Sequence, residues 1–278
     1  MIADKTIACG VVLFCPSISD IKNVLSYTNQ FDWVIVYLNS PISNDLREML
    51  EDTHNVVILG EGTNDGLSIA CDRMCQWAKH EGVLYFLTFD QDSRIDEDSI
   101  ARLTDYIATH QLEKVGAVCP YIVLDGNKEK NINETIDVNW CITSGCLFDL
   151  NLYGNAVEFD KNYFIDRLDR DFCKQITDAG YRIVRVGNAV LHQKLGETIK
   201  VHGVEYSSHS ALRHYYISRN RLYYNRKFRV PMHEGVLQML KHLYEILMFE
   251  PQKKDKIKMF FMGIKHYRQG KLEKFNNN

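Results

Sequence analysis

The residues best placed for chemistry begin with Asp90 and Asp92, in "YFLTFDQDSRID" at residues 85–96 of this 278-residue chain. An apolar, aromatic run that reads as a buried strand ends there in two acids two positions apart. Residues i and i+2 of a strand share a face, so both carboxylates enter one crevice. Two ionised carboxylates about 4 Å apart repel by about 4 kcal/mol at an effective dielectric near 20, so a positive charge is expected between them. Hard oxygen ligands suit Mg²⁺ or Mn²⁺ bridging to a diphosphate. Asp92, Ser93 and Asp96 also fit a turn that caps a helix starting near Ser99.

A second group lies in "YFIDRLDRDFCKQITDAGY", residues 163–181, which reads as a helix ending near Gly180. Asp166 and Asp169 then share a face at i,i+3, and Asp171 points away. Asp166 fits an N-cap with Asp169 in the capping-box position, and Arg170 can pair with Asp166 at i,i+4. A carboxylate in the first turn feels the positive end of the helix dipole and stays ionised, as a general base must. His192, in "AVLHQKLG", sits where a strand empties into a loop, as a structural histidine or as a ligand. Ser144-Gly145 within "DVNWCITSGCLF" suggests a close backbone approach to a ligand. The helix-like "ALRHYYISRNRLYYNRKF" mixes arginines with tyrosines, and beside a sheet it could lend Arg213 or Arg219 to a phosphate or an acceptor sugar.

The elements that must hold these side chains alternate. Residues 6–14, 32–39, 55–59 and 85–90 read as strands, and 19–30, 44–52 and 65–82 as helices, the first starting near Ser19 or Asp20. That rhythm predicts an α/β fold with a mostly parallel central sheet flanked by helices. Such sheets bind ligands at the carboxyl ends of their strands, where Asp90 and Asp92 lie. Further on, 99–110 reads as a helix, 115–123 as a strand, 125–134 as a polar loop and 137–148 as a strand.

Some functions are set aside by what is missing. The first strand is followed by "FCPSISD", with no glycines to admit a pyrophosphate, and there is no P-loop. A net charge of −3 argues against nucleic acid as a partner. No segment approaches the ~20 apolar residues of a membrane span and no secretory signal opens the chain, so a cytoplasmic protein is expected. The eight cysteines lack paired zinc-site spacing and read as reduced, mostly buried thiols.

Taken in order, several segments resemble the family-2 glycosyltransferases of the GT-A fold, in the bacterial rhamnosyltransferase-like branch that builds cell-surface polysaccharides. "NDGLSIACDR" is similar to the family's N-x-G-hydrophobic-A helix start, "LTFDQDS" to its D-Q-D-S metal motif and "ITSGCLF" to its T-S-G strand. "FIDRLDRDFC" resembles its F-I-D-x-x-D-x-E-[FW]-C helix, "LHQKLG" its H-x-x-G turn, and "RHYYISRN" its R-x-Y-Y-x-x-R-N segment. The resemblance implies an inverting transferase with Mn²⁺ or Mg²⁺ held by Asp92 and His192. It implies a nucleotide-sugar donor, a dTDP- or UDP-sugar, contacted by Asn39, Asn64, Asp90, Ser144 and Gly145. Asp169 would deprotonate the acceptor hydroxyl, and Trp140, Asp166, Arg213 and Arg219 would touch acceptor or phosphate. L-rhamnose from its dTDP donor, moved to a saccharide or lipid-linked acceptor, is the expected reaction. A UDP-hexose or UDP-galactofuranose donor, or a non-catalytic scaffold, are the alternatives. Two departures from the pattern stand out. Leu38 replaces the acid usual in V-D-[ND]-x-S after the second strand, and Asp171 replaces the usual glutamate.

By this reading residues 1–230 form the catalytic domain, with a nucleotide-binding half at 1–98 and an acceptor half at 99–230, and 231–278 are an extension. From Lys241 to Lys274 nine Lys or Arg face four Asp or Glu, with apolar residues at helical spacing on either side of Pro251. Two basic amphipathic helices there suit the anionic inner face of a membrane, or packing on the domain or on a second subunit as a homodimer.

Overall fold

A computed structural model describes residues 6–110, 113–124, 132–193, 198–201 and 204–276. The chain divides into two compact units. One comprises Met1–Lys161 with Asp169–Lys194, the other Asn162–Leu168 with Leu195–Asn278.

The first unit opens with the expected alternation of β1 (Ile7–Leu13), α1 (Ile18–Ser26), β2 (Trp33–Leu38), α2 (Asn44–Glu51), β3 (Val56–Leu59), α3 (Leu67–His80) and β4 (Tyr85–Asp90). β1 pairs in parallel with β2 and with β4, and β2 with β3. Burial explains their composition: Val34 to Leu38 and Phe86 to Phe89 are all buried, as in strands covered on both faces. α1 starts one turn-position earlier than Ser19 or Asp20. Ser17 is its N-cap, and Asp20 completes a capping box by accepting from Ser17 N at 2.7 Å.

The second half of this unit adds β5 (Arg94–Ile95), α4 (Glu97–Thr109), β6 (Val115–Leu124), β7 (Ile136–Val138), β8 (Cys146–Asp149), α5 (Leu168–Asp178) and β9 (Arg182–Gln193). All nine strands join one sheet in the order β3-β2-β1-β4-β8-β6-β9-β5, with β7 also on β9. The sheet is less parallel than expected, because β8 runs antiparallel to both β4 and β6, and β5 and β7 run antiparallel to β9. The strand read at 137–148 is two strands with a turn between them. Gly145 in that turn has φ +80°, and a Cβ there would lie 2.8 Å from Pro120 Cγ, so only glycine fits.

α5 also departs from expectation. Asp166 and Arg167 have φ of +65° and +73°, a left-handed backbone that no helix continues through. Asp166 is therefore not an N-cap, and the helix begins at Leu168.

The second unit holds a hairpin of β10 (Thr198–Val201) and β11 (Val204–Ser207) and three helices, α6 (Ala211–Lys227), α7 (Met232–Phe249) and α8 (Lys253–Arg268). The boundary expected at 230/231 falls between α6 and α7, which lie in the same unit. α6 and α8 meet closely at Gly263, where a Cβ would come 2.4 Å from Tyr215 O. All eight cysteines are free thiols, and all but Cys15 are buried. Among the described residues no helix is long and apolar enough to cross a membrane.

Candidate functional site

β4 carries Asp90 to the carboxyl edge of the sheet, and four segments clasp the turn beyond it. Asp90 N–H donates to Ser144 Oγ at 3.0 Å, and Ser144 Oγ lies 2.7 Å from Ser93 Oγ. Gly145 N–H donates to Thr88 O at 2.7 Å. From α1, Asn23 Nδ2 donates to the carbonyls of Gln91 and Ser93 at 3.1 and 2.8 Å. From the end of β1, Phe14 N–H donates to Gln91 Oε1 at 2.9 Å. The backbone around Asp90, Gln91 and Ser93 is thus held by its neighbours. Capping falls to Asp96 alone, which accepts from Ser99 N at 2.7 Å.

The fourth segment is β9. Gln193 Nε2 donates to Asp90 Oδ2 at 2.8 Å. β5 pairs antiparallel with β9 so that Arg94 stands opposite His192. The register therefore lays the end of β9, with His192, alongside the turn that contains Asp92. Gly196, which follows His192 by four residues where the H-x-x-G pattern has three, lies outside the described residues. Among the described residues no three His, Cys, Asp or Glu side chains converge to hold a metal ion by themselves. A carboxylate and an imidazole with open positions still fit Mg²⁺ or Mn²⁺, ions that keep waters and share ligands with substrate phosphates.

Asp169 occupies the first turn of α5, where Arg170 N–H donates to its Oδ1 at 2.9 Å. The segment between β7 and β8 binds this helix to the acid turn. At one end Ser144 holds Asp90; within it Cys141 N–H donates to Cys173 Sγ of α5 at 3.4 Å, and in β8 Phe148 packs on Phe172 with ring centroids 4.8 Å apart. Trp140, in the same segment, lies under the Arg170 guanidinium at 3.3 Å from the ring centroid. Asp171 is fully buried and accepts from Gln175 Nε2 one turn on, so it props the helix.

On the far side of the sheet edge, Asn39 is buried at the end of β2, and its Oδ1 accepts from Asp65 N at 2.8 Å. Asn64 Oδ1 accepts from Gly66 N at 3.1 Å, just before α3 begins. Both asparagines shape one loop. That loop delivers a carboxylate the motifs did not single out. Asp65 Oδ2 accepts from Tyr37 OH at 2.6 Å, and Arg73 NH1 lies 2.6 Å from the same hydroxyl and 3.2 Å from Asp65. Burial, then the Asp65 bond, pushes the Tyr37 phenol up to about 12. An acid therefore stands beside β2, although Leu38 replaces the one usual within the motif. Gln193 was missed as well, although it is next to His192. Both depend on pairings between distant segments, which spacing alone does not encode.

In the second unit, Asp166 pairs with Arg213 NH2 at 3.1 Å, and not with Arg170 as helical spacing suggested, because the left-handed backbone turns it off the helix. Arg219, expected at a phosphate or acceptor, is fully buried. Its guanidinium donates to Glu273 O at 2.6 Å and Asn162 O at 3.1 Å and lies against the rings of Tyr215 and Tyr216. Its position is structural.

Comparison with known proteins matches this geometry. The dTDP-rhamnosyl transferase RfbF of Shigella flexneri is 22% identical over 270 residues, covering 91% of each chain. The S. aureus TarS 1-349 structure in complex with UDP-GlcNAc superposes with a TM-score of 0.57 at 14% identity, covering 95% of this chain and 92% of that one. GalNAc-T7 with UDP, GalNAc and Mn²⁺ gives a TM-score of 0.57 at 12% identity over 71% of this chain, and the match spans 44% of that protein's chain. These structural likenesses bear out the expected GT-A architecture. The Glycosyl transferase family 2 profile matches residues 19–170, which contain the whole acid turn, its Ser144 clasp and Asp169: the chain is a glycosyltransferase and belongs to glycosyl transferase family 2.

Proposed function

We propose that the protein is an inverting, metal-dependent rhamnosyltransferase that moves L-rhamnose from dTDP-L-rhamnose to a hydroxyl of a saccharide acceptor, free or lipid-linked. The observation that carries this is the acid turn, fixed by Ser144 and Gln193 beside the strand end that bears His192. The donor sugar is taken from a relative, a dTDP-rhamnosyl transferase that aligns over 91% of this chain.

Asp92 and His192 would hold Mg²⁺ or Mn²⁺, which when bound offsets negative charge on the diphosphate. Asp90, held by Gln193, orients the nucleotide's sugar. Asn39, Asn64 and the Asp65 loop line the nucleoside side. Asp169 accepts the proton of the acceptor hydroxyl as that oxygen attacks the anomeric carbon. The bond from that carbon to the diphosphate oxygen breaks on the opposite face, which inverts the configuration. Asp169 stands in the first turn of α5, at the positive end of the helix dipole. Trp140, steadied by Arg170, offers a ring to the acceptor sugar.

A thermal-shift series with dTDP-L-rhamnose, UDP-hexoses and UDP-galactofuranose, with and without Mn²⁺, tests the donor. At a hundredfold excess over Kd the true donor should raise Tm by about 5–10 °C, and only with the metal. Mass spectrometry of an offered rhamnan or lipid-linked saccharide tests transfer. A shift with UDP-sugars and none with dTDP-L-rhamnose would replace the donor, and no shift with any sugar nucleotide would sink the proposal.

A further inference from the structure

The second unit carries a surface outside the residues assigned to sugar transfer. On α7, Met232, Val236, Leu237, Leu240, Tyr244 and Leu247 are all exposed, Met232 at 84% and Leu237 at 62%. At 100° per residue they fall within one arc of about 140°. The acids and the lysine of that helix lie outside it, Glu234 and the Lys241–Glu245 pair at 3.9 Å, while the exposed His233 stands inside it. The inner side of α7 is already spent, with His242 and Ile246 buried. The apolar arc is thus a second hydrophobic face, beyond the one that builds the unit.

α8 adds a row of cations. Lys254, Lys258 and Lys265 are exposed and fall within about 40° of one another on the wheel. Phe261, 52% exposed, and Arg268 continue the same row. The two helices open on a common groove of about 600 Å³, lined by Met232, Val236 and Leu240 of α7 and by Phe261, Ile264 and Arg268 of α8. Apolar face and basic row therefore border one another on one side of the unit.

We infer that this α7–α8 face docks on the surface of a bilayer containing anionic lipid, with the apolar arc entering the headgroup–acyl boundary and the lysine row meeting the headgroups. Charge decides the occupant. The chain as a whole carries −3, yet nine Lys or Arg stand against four Asp or Glu from Lys241 to Lys274. A two-fold contact with a second copy would set the same lysine row against itself. Anionic headgroups meet it with opposite charge, and exposed leucines and a tyrosine beside lysines are the composition of helices that lie in a membrane interface. The inference holds whichever sugar the first unit transfers.

The test is co-sedimentation of the full chain with vesicles of phosphatidylcholine alone or mixed with phosphatidylglycerol. Binding is expected only to the mixed vesicles and is expected to weaken with added salt. Lys254→Gln/Lys258→Gln/Lys265→Gln should lower the partition coefficient roughly a hundredfold, and Leu237→Gln/Leu240→Gln should lower it too, each with an unchanged thermal melt. A Tyr244→Trp variant gives a reading that needs no loss of function, since its fluorescence should be quenched by lipids brominated in the acyl chain. Full chain left in the supernatant with mixed vesicles would overturn the inference. So would a dimer in light scattering that the leucine variant dissociates while vesicle binding is unaffected, which would assign the face to a second copy.

Discussion

Gln193 donates to Asp90 Oδ2 at 2.8 Å across 103 residues of sequence, joining the end of β9 to the end of β4. This one bond ties the acid proposed to orient the donor to the strand that bears His192. A hydrogen bond to a carboxylate is worth about 1.5–3 kcal/mol. Gln193→Ala is therefore expected to lower the free energy of urea unfolding by up to that amount, and to weaken donor binding in calorimetric titration because Asp90 loses its anchor. An unchanged Kd would show that Asp90 holds its position without it.

Asp92 and Asp169 should separate binding from transfer. Asp92→Ala is expected to abolish the Mn²⁺-dependent thermal shift by the donor. Asp169→Asn should keep that shift while transfer falls by about a hundredfold to ten-thousandfold, the range supplied by a positioned base. Wild-type turnover by Asp169→Asn would remove it from the role of base.

Ser144 supports the acid turn through two contacts, a part-buried one from Asp90 N and a buried one with Ser93 Oγ. Ser144→Ala leaves both without that partner, a cost of about 1–3 kcal/mol in urea unfolding. Donor affinity should fall along with stability, because the same hydroxyl fixes the backbone that carries Asp90. Loss of stability with full donor affinity would uncouple the two.

Acid should weaken the second unit through buried histidines. His214 lies with Nε2 3.1 Å from Glu250 Oε1 and Nδ1 2.9 Å from His242 Nε2. If His214 donates to Glu250 and accepts from His242, the remaining His242 Nδ1 is a bare buried acceptor, as the structure has it. Protonating it would bury a charge with nothing to receive the new N–H. Burial first, then the charge of Arg221, holds His242 down at about 3, and burial lowers His214 as well. Burial alone would raise Glu250, but bonds from Lys256, Ser208 and His209 N outweigh it and leave the carboxyl at about 2. Between about pH 6.5 and 3 the unfolded chain binds the histidine protons and the folded one does not, so stability falls as pH falls through that window. His242 alone should cost about 2 kcal/mol between pH 7 and 5. The Glu250 contribution is present above its unfolded pKa of about 4.5 and is lost as pH falls towards 2. Urea midpoints of wild type and His242→Gln across that range check this, and equal slopes for both would refute it.

Arg219→Lys should destabilise the protein by about 3 kcal/mol. A single ammonium cannot replace a buried fork that reaches both Glu273 O and Asn162 O. The KM for donor should remain as in wild type at a temperature where the variant is folded. A selective rise in KM would return Arg219 to the phosphate role.

What the sequence determined by itself is the local order of the chain. The alternation up to β4, the acids at that strand's end, the cap at Asp96, the split of α7 from α8 at Pro251 and the placing of Asp169 in a first turn all follow from periodicity, caps and breakers that act within a few residues. Tertiary structure alone decided the rest. The antiparallel course of β8, the Gln193 bond to Asp90 and the meeting of Tyr37 with Asp65 and Arg73 are pairings across 28 to 103 residues. The left-handed pair at Asp166 and Arg167 overrode a plausible helix start. Asn220 Nδ2 holds the carbonyls of Ile165 and Asp166 at 2.6 and 3.1 Å, and Arg213 holds the Asp166 carboxylate, so partners 47 to 55 residues away fix a backbone that local propensity disfavours. Propensity and capping are short-range free energies of about a kcal/mol. Which distant strands and side chains meet is set by burial of the whole core, and no spacing of motifs along the chain contains it.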